Sequence, residues 1–76
     1  MEGTDNQTMD ILRYMEEVGS ITPVDAIREF GCLRLSARIW DLRNKFGYII
    51  RKEIEEGVNR FGKKIRYARY YLEGRA

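Results

Sequence analysis

Gly47 divides the chain into two parts with different apolar periods, and this change of period limits the folds that the chain can adopt. Before Gly47, apolar residues recur every three or four positions, as on one face of an α-helix. After it, the runs "YIIRKEIE" (48–55) and "IRYARYYL" (65–72) alternate apolar with polar residues and are rich in Ile and Tyr, as half-buried β-strands are. A chain of 76 residues with this pattern predicts a single α+β domain over residues 1–76, with the helices before the strands.

Capping residues and glycines divide the first part into three predicted helices, at about 6–18, 23–30 and 33–46, after a disordered segment at residues 1–5. The segment Thr4–Gln7 fits a capping box, with Asp5 or Asn6 as alternative caps, and "TPVD" (22–25) is a second start signal. Cys32 occupies the expected N-cap position of the third helix. Each helix is followed by a glycine, which favours a stop there: Gly19, Gly31 and Gly47.

The residues predicted to face the core form one apolar stripe on each helix. They are Met9, Ile11, Leu12, Met15 and Val18 in the first helix, Val24, Ile27 and Phe30 in the second, and Leu35, Ile39, Leu42 and Phe46 in the third. A short helix, a tight glycine turn and a longer basic helix are typical of a helix-turn-helix unit.

The two alternating runs predict an antiparallel β-hairpin over about 48–72, because the intervening "EGVNRFGKK" carries two glycines and an asparagine. Ala68, Tyr70 and Leu72 are expected to face the core, and a short extra strand is compatible with residues 20–21. Phe61 at the hairpin tip has two interpretations. It either closes the loop as an apolar clasp, which is favoured, or stands out as a wedge.

The segment "TPVDAIREFGCLRLSARIWDLRNKFGYII" (22–50) resembles the small winged helix-turn-helix proteins of phages and prophages, whose pattern runs Thr-Pro, a short helix, Gly, "RL-ARI-DLR" and Gly. More distantly, "ARIWDLRNKFGYI" is similar to the recognition-helix segment of leucine-responsive bacterial regulators. The resemblance covers residues 8–50 well and implies three helices followed by a two-stranded wing. It also implies sequence-specific binding of double-stranded DNA, by a small regulator of transcription or an accessory protein of recombination. Winged helices also serve as protein-binding modules, so a phage inhibitor of a host protein is the alternative.

Charge is distributed unevenly, although the net charge is only +2. Residues 1–33 carry an excess of five acidic groups, and residues 34–76 carry an excess of seven basic groups. Such asymmetry is typical of a domain that presents one side to a polyanion.

Other classes of function find little support in the composition. The chain has one cysteine and no histidine, which argues against a structural zinc site and against Cys–His or Ser–His catalysis. We therefore expect neither an enzyme nor a bound metal, cofactor or small-molecule ligand. No apolar run approaches about 20 residues, and no signal segment opens the chain, so we expect no membrane partner and a cytoplasmic, nucleoid-associated location.

The candidate DNA contacts lie on the third helix and on the hairpin. In helix-turn-helix docking the first half of the second helix of the unit reaches base edges, and its far end meets phosphate. The predicted base contacts are Arg34, Ser36, Ala37 and Arg38, and the predicted phosphate contacts are Arg43, Asn44 and Lys45. On the wing, the backbone or a minor groove is expected to meet Arg60, Lys63, Lys64 and Arg66.

Two further expectations concern partners. Trp40 is expected to pack against the first strand or another chain. A domain of this size buries too little surface for tight specific binding by itself, which favours a homodimer or a second protein on adjacent sites. RNA is the least favoured partner, because the aromatic platform of the usual RNA-binding modules is missing.

Overall fold

Three helices and a three-stranded antiparallel sheet form the computed structural model, which describes the backbone of residues 3–75 and the side chains of residues 7–75. The elements are α1 (Gly3–Val18), β1 (Ser20–Ile21), α2 (Pro23–Phe30), α3 (Leu35–Asn44), β2 (Tyr48–Val58) and β3 (Lys64–Arg75). The strand order is β1-β3-β2, so β2 and β3 form the hairpin and β1 lies on the other side of β3. The predicted α+β class, with a hairpin wing and a short extra strand at residues 20–21, is confirmed.

Helix α1 begins at Gly3, earlier than the predicted residue 6, so the backbone of residues 3–5 is helical. The side chains of residues 4–6, and with them the predicted capping box, lie outside the described part of the chain. No proline interrupts this segment, and the helix therefore extends through it. The part of the predicted disorder that covers residues 1 and 2 lies outside the described residues.

The buried stripe of α1 consists of Ile11, Leu12 and Met15, as predicted, and it continues through Thr8 instead of Met9. Thr8 lies about 60° round the helix from Ile11, whereas Met9 lies about 160° away and is exposed. Val18 is exposed as well, because it stands at the last residue of the helix.

Helix α2 has a complete capping box and a glycine stop. The Asp25 N–H donates to the Thr22 hydroxyl, the Thr22 N–H donates to the Asp25 carboxylate, and Gly31 ends the helix at a φ of +64°. The predicted inward positions of Val24 and Ile27 are wrong, since both side chains are exposed. The inward seam runs instead through Ala26 and Phe30, which are four residues apart and so share a face.

Helix α3 is shorter than predicted at both ends, running from Leu35 to Asn44. Cys32 is not its N-cap: this residue is buried in the core, and Arg34 occupies the cap position without a side-chain hydrogen bond to the helix. Because Lys45 already ends the helix, Phe46 leaves the buried seam and is exposed, contrary to the prediction.

The hairpin is regular from the tip to a bulge near its base. Pairing runs from Val58↔Lys64 at the tip to Ile50↔Leu72, where the register shifts, and then continues to Tyr48↔Arg75. β3 extends three residues beyond the predicted end at Leu72, and the bulge accounts for one of them. β1 pairs with β3 through Ser20↔Tyr71 and Ile21↔Tyr70.

One core holds the helices against the base of the sheet. Its buried members are Ile11, Leu12, Met15, Ile21, Ala26, Cys32, Leu35, Ile39, Leu42, Ile50 and Tyr70, with Ala68 and Leu72 packed against them. The tip half of the hairpin therefore extends beyond the core. Among residues 3–75, no helix is long and apolar enough to cross a membrane.

Candidate nucleic-acid interface

The exposed side of α3 begins at Arg34, the N-cap residue. Arg34 and Ser36 are exposed and Ala37 is half-buried, and the described part of the chain offers no ion-pair partner to the Arg34 guanidinium. Because a cap residue extends beyond the first turn, this guanidinium stands at the end of α3 that would approach a ligand first. The structure thus brings three of the four predicted base contacts to one accessible end of the helix.

Arg38, the fourth predicted base contact, is placed differently. Its side chain is only 17% exposed, and its terminal Nη2 lies 3.6 Å from an oxygen of Asp41. Its Nε is buried and makes no hydrogen bond within the described residues. The same Asp41 carboxylate lies 3.7 Å from the exposed Lys45 ammonium. Arg38 therefore lies along the flank of α3, and its guanidinium must leave Asp41 before it can reach a base.

Arg43 connects α3 to the sheet. Its Nε and Nη2 both donate to the Ile50 carbonyl oxygen, at 3.2 and 2.6 Å. Two N–H groups on one carbonyl fix the distance between the end of α3 and the first strand of the hairpin. The sequence predicted a phosphate contact for this residue, and no pattern in it indicated that a backbone carbonyl seven residues later would accept both bonds.

Asn44 is also engaged within the protein. Its Nδ2 donates to the Trp40 carbonyl oxygen at 2.9 Å, so its side chain folds back on the last turn of α3. Among the predicted phosphate contacts at this end, Lys45 has a side chain that is 63% exposed, and its only ion pair within the described residues is the contact with Asp41.

The wing tip is a closed five-residue loop organised by Asn59. The Asn59 side-chain oxygen accepts the Phe61 N–H at 2.9 Å and the Lys63 N–H at 3.0 Å. The Asn59 N–H donates to the Lys63 carbonyl, and the Gly62 N–H donates to the Asn59 carbonyl. Gly62 has a φ of +81°, a conformation that favours glycine. These hydrogen bonds pair backbone groups within the loop, and the side chains of Arg60 and Phe61 are exposed.

The cations of the wing form no ion pair within the described residues, although Glu56 lies opposite Arg66 in the hairpin register. All four predicted wing contacts are exposed and make no ion pair there: Arg60, Lys63, Lys64 and Arg66. Strand alternation places Lys64 and Arg66 on the same face as Tyr70, which is the face that packs against the helices. Lys52, opposite Tyr70, belongs to that face too. Sequence reasoning missed Lys52, although the alternation of β2 was a signal that could have found it.

This helix-side face carries a shallow depression beyond the core. Its volume is about 440 Å³, and it is lined by Lys52, Ile54, Arg66, Tyr67 and Ala68. α3 packs on the same side of the sheet, through the Arg43–Ile50 bonds and the core. The cations of the wing and the outer side of α3 therefore belong to one side of the molecule.

The opposite face of the sheet neutralises its arginines. Arg51 pairs with Glu53 and, at 2.7 Å, with Glu73, and its guanidinium lies 4.2 Å from the centre of the Tyr71 ring. Arg69 donates to Glu55 at 2.9 Å.

The ion pair between Arg69 and Glu55 also shifts the pKa of both groups. The Arg69 hydrogen bond holds the pKa of Glu55 below its ordinary value, and the same bond raises the pKa of Arg69. Within the hairpin, the ion-paired Arg51 and Arg69 therefore lie on the face opposite to Lys64 and Arg66.

Two aromatic side chains are exposed where the sequence predicted packing. Trp40 is 57% exposed, so the first strand of the hairpin does not bury it. Phe61 is 80% exposed, and the favoured interpretation of a clasp across the loop is therefore wrong. Trp40 is exposed because it lies about 140° round α3 from Leu35, away from the buried seam of the helix.

A family model described as a winged helix-turn-helix domain matches residues 6–75, which is nearly the whole chain. No curated protein and no solved structure matches the chain significantly.

Proposed function

Because the chain belongs to the winged helix-turn-helix family, we propose that it binds double-stranded DNA in a sequence-specific manner, with α3 in the major groove and the wing on the neighbouring backbone and minor groove. One observation carries this proposal more than any other. The cations without acidic partners share one side of the molecule with α3, whereas Arg51 and Arg69 are neutralised on the other side.

The dimensions of the proposed elements suit a duplex. A helix of ten residues is about 15 Å long, and the major groove is about 12 Å wide. The groove would receive the N-terminal end of α3, where Arg34 can donate two hydrogen bonds to a guanine edge. Ser36 and Ala37 are small enough to let the helix approach the base pairs closely. Arg38 joins them only if phosphate or a base replaces Asp41 as its partner.

The first experiment is a titration of a random-sequence duplex at about 50 and about 200 mM salt, followed by the fluorescence of Trp40, the single tryptophan. About six phosphate contacts predict a log–log salt slope near −5, so affinity is expected to fall about a thousandfold between the two conditions. No binding at the lower salt concentration would remove the DNA hypothesis.

Specificity is tested by selecting bound sequences from a random duplex library. On the selected site, Arg34→Ala is expected to weaken binding by about 1–3 kcal/mol and to relax the preference at one base pair. On random duplex the same change should cost only one cationic contact. Equal losses on both would contradict base reading by Arg34. An enriched palindrome would support a dimer on adjacent half-sites.

The proposed biological role is that of a small regulator of transcription or an accessory protein of recombination. An origin in a phage or another mobile element rests on the resemblance of residues 22–50 and belongs to the same proposal. Such a protein acts by occupying DNA, bending it or recruiting a second protein. The location that goes with this role is the nucleoid in the bacterial cytoplasm.

A protein-binding role is the second candidate, and one groove favours it. The groove has a volume of about 280 Å³, lies between α2 and β3, and is lined by Thr22, Val24, Asp25, Ile65, Tyr67 and Arg69. An exposed apolar patch formed by Trp40, Tyr67 and Tyr71 would favour this role further, but these residues do not lie together. Tyr67 and Tyr71 alternate with the core residue Tyr70 along β3, whereas Trp40 lies on α3, on the core side of the sheet. Binding of a protein with no measurable binding of duplex would favour this role.

A further inference from the structure

Phe61 is an exposed aromatic residue at the far end of a rigid and basic wing. Its side chain is 80% exposed, and its nearest apolar neighbour along β2, Val58, is 67% exposed. The ring therefore has not collapsed onto the strand beneath it. A single exposed apolar side chain is common on protein surfaces, so the case for a contact rests on how the loop holds and flanks this one.

The loop fixes the direction in which Phe61 points. Asn59 accepts the N–H groups of both Phe61 and Lys63, so the backbone on each side of the aromatic residue is held by the same oxygen. The stalk below is stiff as well, because the ring of Tyr67 packs closely over Gly57, where an added Cβ would lie 3.3 Å from it. Phe61 is thus presented by a preorganised element.

The length of the wing brings its tip to the neighbouring groove. Six residue steps along β3 lead from Tyr70, the buried residue of β3 nearest the tip, to Lys64, so Lys64 lies about 20 Å along the strand from Tyr70. Half a helical turn of DNA, the distance from one groove to the next, is about 17 Å. With α3 in a major groove, the tip therefore meets the adjacent minor groove. That groove is about 6 Å wide and admits a narrow loop but no helix.

We infer that Phe61 enters this minor groove as a wedge, partly unstacks one base step and kinks the duplex, an inference that rests on the proposed DNA-binding function. Apolar side chains act in this way when flanking cations hold the backbone on both sides of the groove. Arg60 and Lys63 flank Phe61 directly, and Lys64 follows. Flexible steps such as TA or CA would be kinked most readily, which gives the protein a preference at base pairs that α3 does not touch.

The test is ligase-catalysed ring closure of a linear duplex of about 120 bp, which is shorter than the persistence length of about 150 bp and closes slowly by itself. Saturating wild-type protein is expected to raise the rate of closure about tenfold or more. Phe61→Ala should return the rate close to that of free DNA, while its affinity for the same linear duplex falls less than about tenfold. Phe61→Leu, which keeps an apolar wedge, should retain most of the effect.

Two variants distinguish the effect of the Phe61 ring from the effects of the neighbouring cations and of the loop conformation. The double change Lys63→Ala and Lys64→Ala removes cations and should weaken binding; at full occupancy it should slow closure less than Phe61→Ala does, because Phe61 and the flanking Arg60 remain. Asn59→Ala keeps Phe61 but frees the loop, and it should slow closure at full occupancy. A 2-aminopurine base placed at a TA step should brighten with wild-type protein and remain dark with Phe61→Ala.

Two results would overturn the inference. One is a wild-type protein that binds the duplex without accelerating closure. The other is a Phe61→Ala variant that accelerates closure as well as wild type, which would assign Phe61 to a protein contact. If the wild-type protein does not bind the linear duplex at all, the proposed function fails first. Unchanged thermal unfolding of Phe61→Ala establishes that the variant is folded.

Discussion

Arg43 offers the sharpest test of the geometry, because the sequence and the structure assign it different partners. In the structure its guanidinium donates two hydrogen bonds to the Ile50 carbonyl oxygen, at 3.2 and 2.6 Å. A hydrogen bond that involves a charged group contributes about 1.5–3 kcal/mol to stability. Since Arg43 is exposed, water can replace part of this interaction, and we expect Arg43→Met to lower the free energy of unfolding by about 1–2 kcal/mol.

Urea unfolding followed by Trp40 fluorescence measures this loss. For a chain of this size the dependence on urea is about 1 kcal/mol per M, so the midpoint should fall by about 1–2 M. Arg43→Lys keeps the positive charge with a single donor head and should lie between wild type and Arg43→Met. A matched control is Lys45→Met at the same end of α3, which should move the midpoint little, because Lys45 is exposed and its contact with Asp41 is long, at 3.7 Å.

DNA binding by the same variants completes the test. If Arg43 acts on the sheet, the log–log salt slope of folded Arg43→Met should equal that of wild type. If it contacts phosphate instead, the slope should become less steep by about 0.9. An unchanged urea midpoint together with a reduced slope would refute the assignment made here.

Three further perturbations address the charges. Replacing Lys63 and Lys64 with alanine should weaken binding to every duplex and make the salt slope less steep by about 2, and a loss restricted to the selected site would contradict a phosphate role. Asp41→Asn frees Arg38 and Lys45 from their shared partner, so affinity for random duplex should rise several-fold in a low-salt titration, whereas unchanged affinity would mean that this flank of α3 faces away from DNA. The hydrogen bond from Arg69 lowers the pKa of Glu55 in the folded state. The ionised Glu55 therefore stabilises the fold above its ordinary pKa of 4.5, and this stabilisation is lost as the pH falls through the folded-state pKa. Urea midpoints of wild type should therefore decrease on acidification more than those of Glu55→Gln.

Net charge along the chain indicates which half of the sequence is basic, but it does not indicate which cations form ion pairs. The basic half of the sequence contains Arg51 and Arg69 as well as Lys64 and Arg66, and composition treats all four alike. Strand alternation decides which face each of them occupies, and of the four only Arg51 and Arg69 form ion pairs within the described residues, although Glu56 lies opposite Arg66. Arg51 and Arg69 lie on the outer face among Glu53, Glu55 and Glu73, and the other two lie on the helix-side face.

Capping residues and glycines predicted the positions of most helices and strands. The wrong predictions concern helix ends and the buried side of α2. The Thr22–Asp25 capping box and Gly31 define α2, because each needs only backbone groups within four residues. The start of α3 was predicted two residues early, since Cys32 is a possible cap by position but is drawn into the core as a small apolar side chain. Val24 and Ile27 were expected inside, because a helix of eight residues has too few turns for its periodicity to define the buried side.

The sequence by itself determined the class of fold, the order of the elements and the basic character of α3 and the wing. Apolar period, glycine stops and capping boxes act over a few residues, so they can be read without the rest of the chain. Only the tertiary structure decided what each charged or aromatic side chain does. In that structure Arg43 donates to the Ile50 carbonyl, Arg38 lies against Asp41, and Phe61 is exposed at the wing tip. Those outcomes depend on the distance between elements and on which face of the sheet the helices cover, and neither quantity is encoded by residues that are neighbours in the chain.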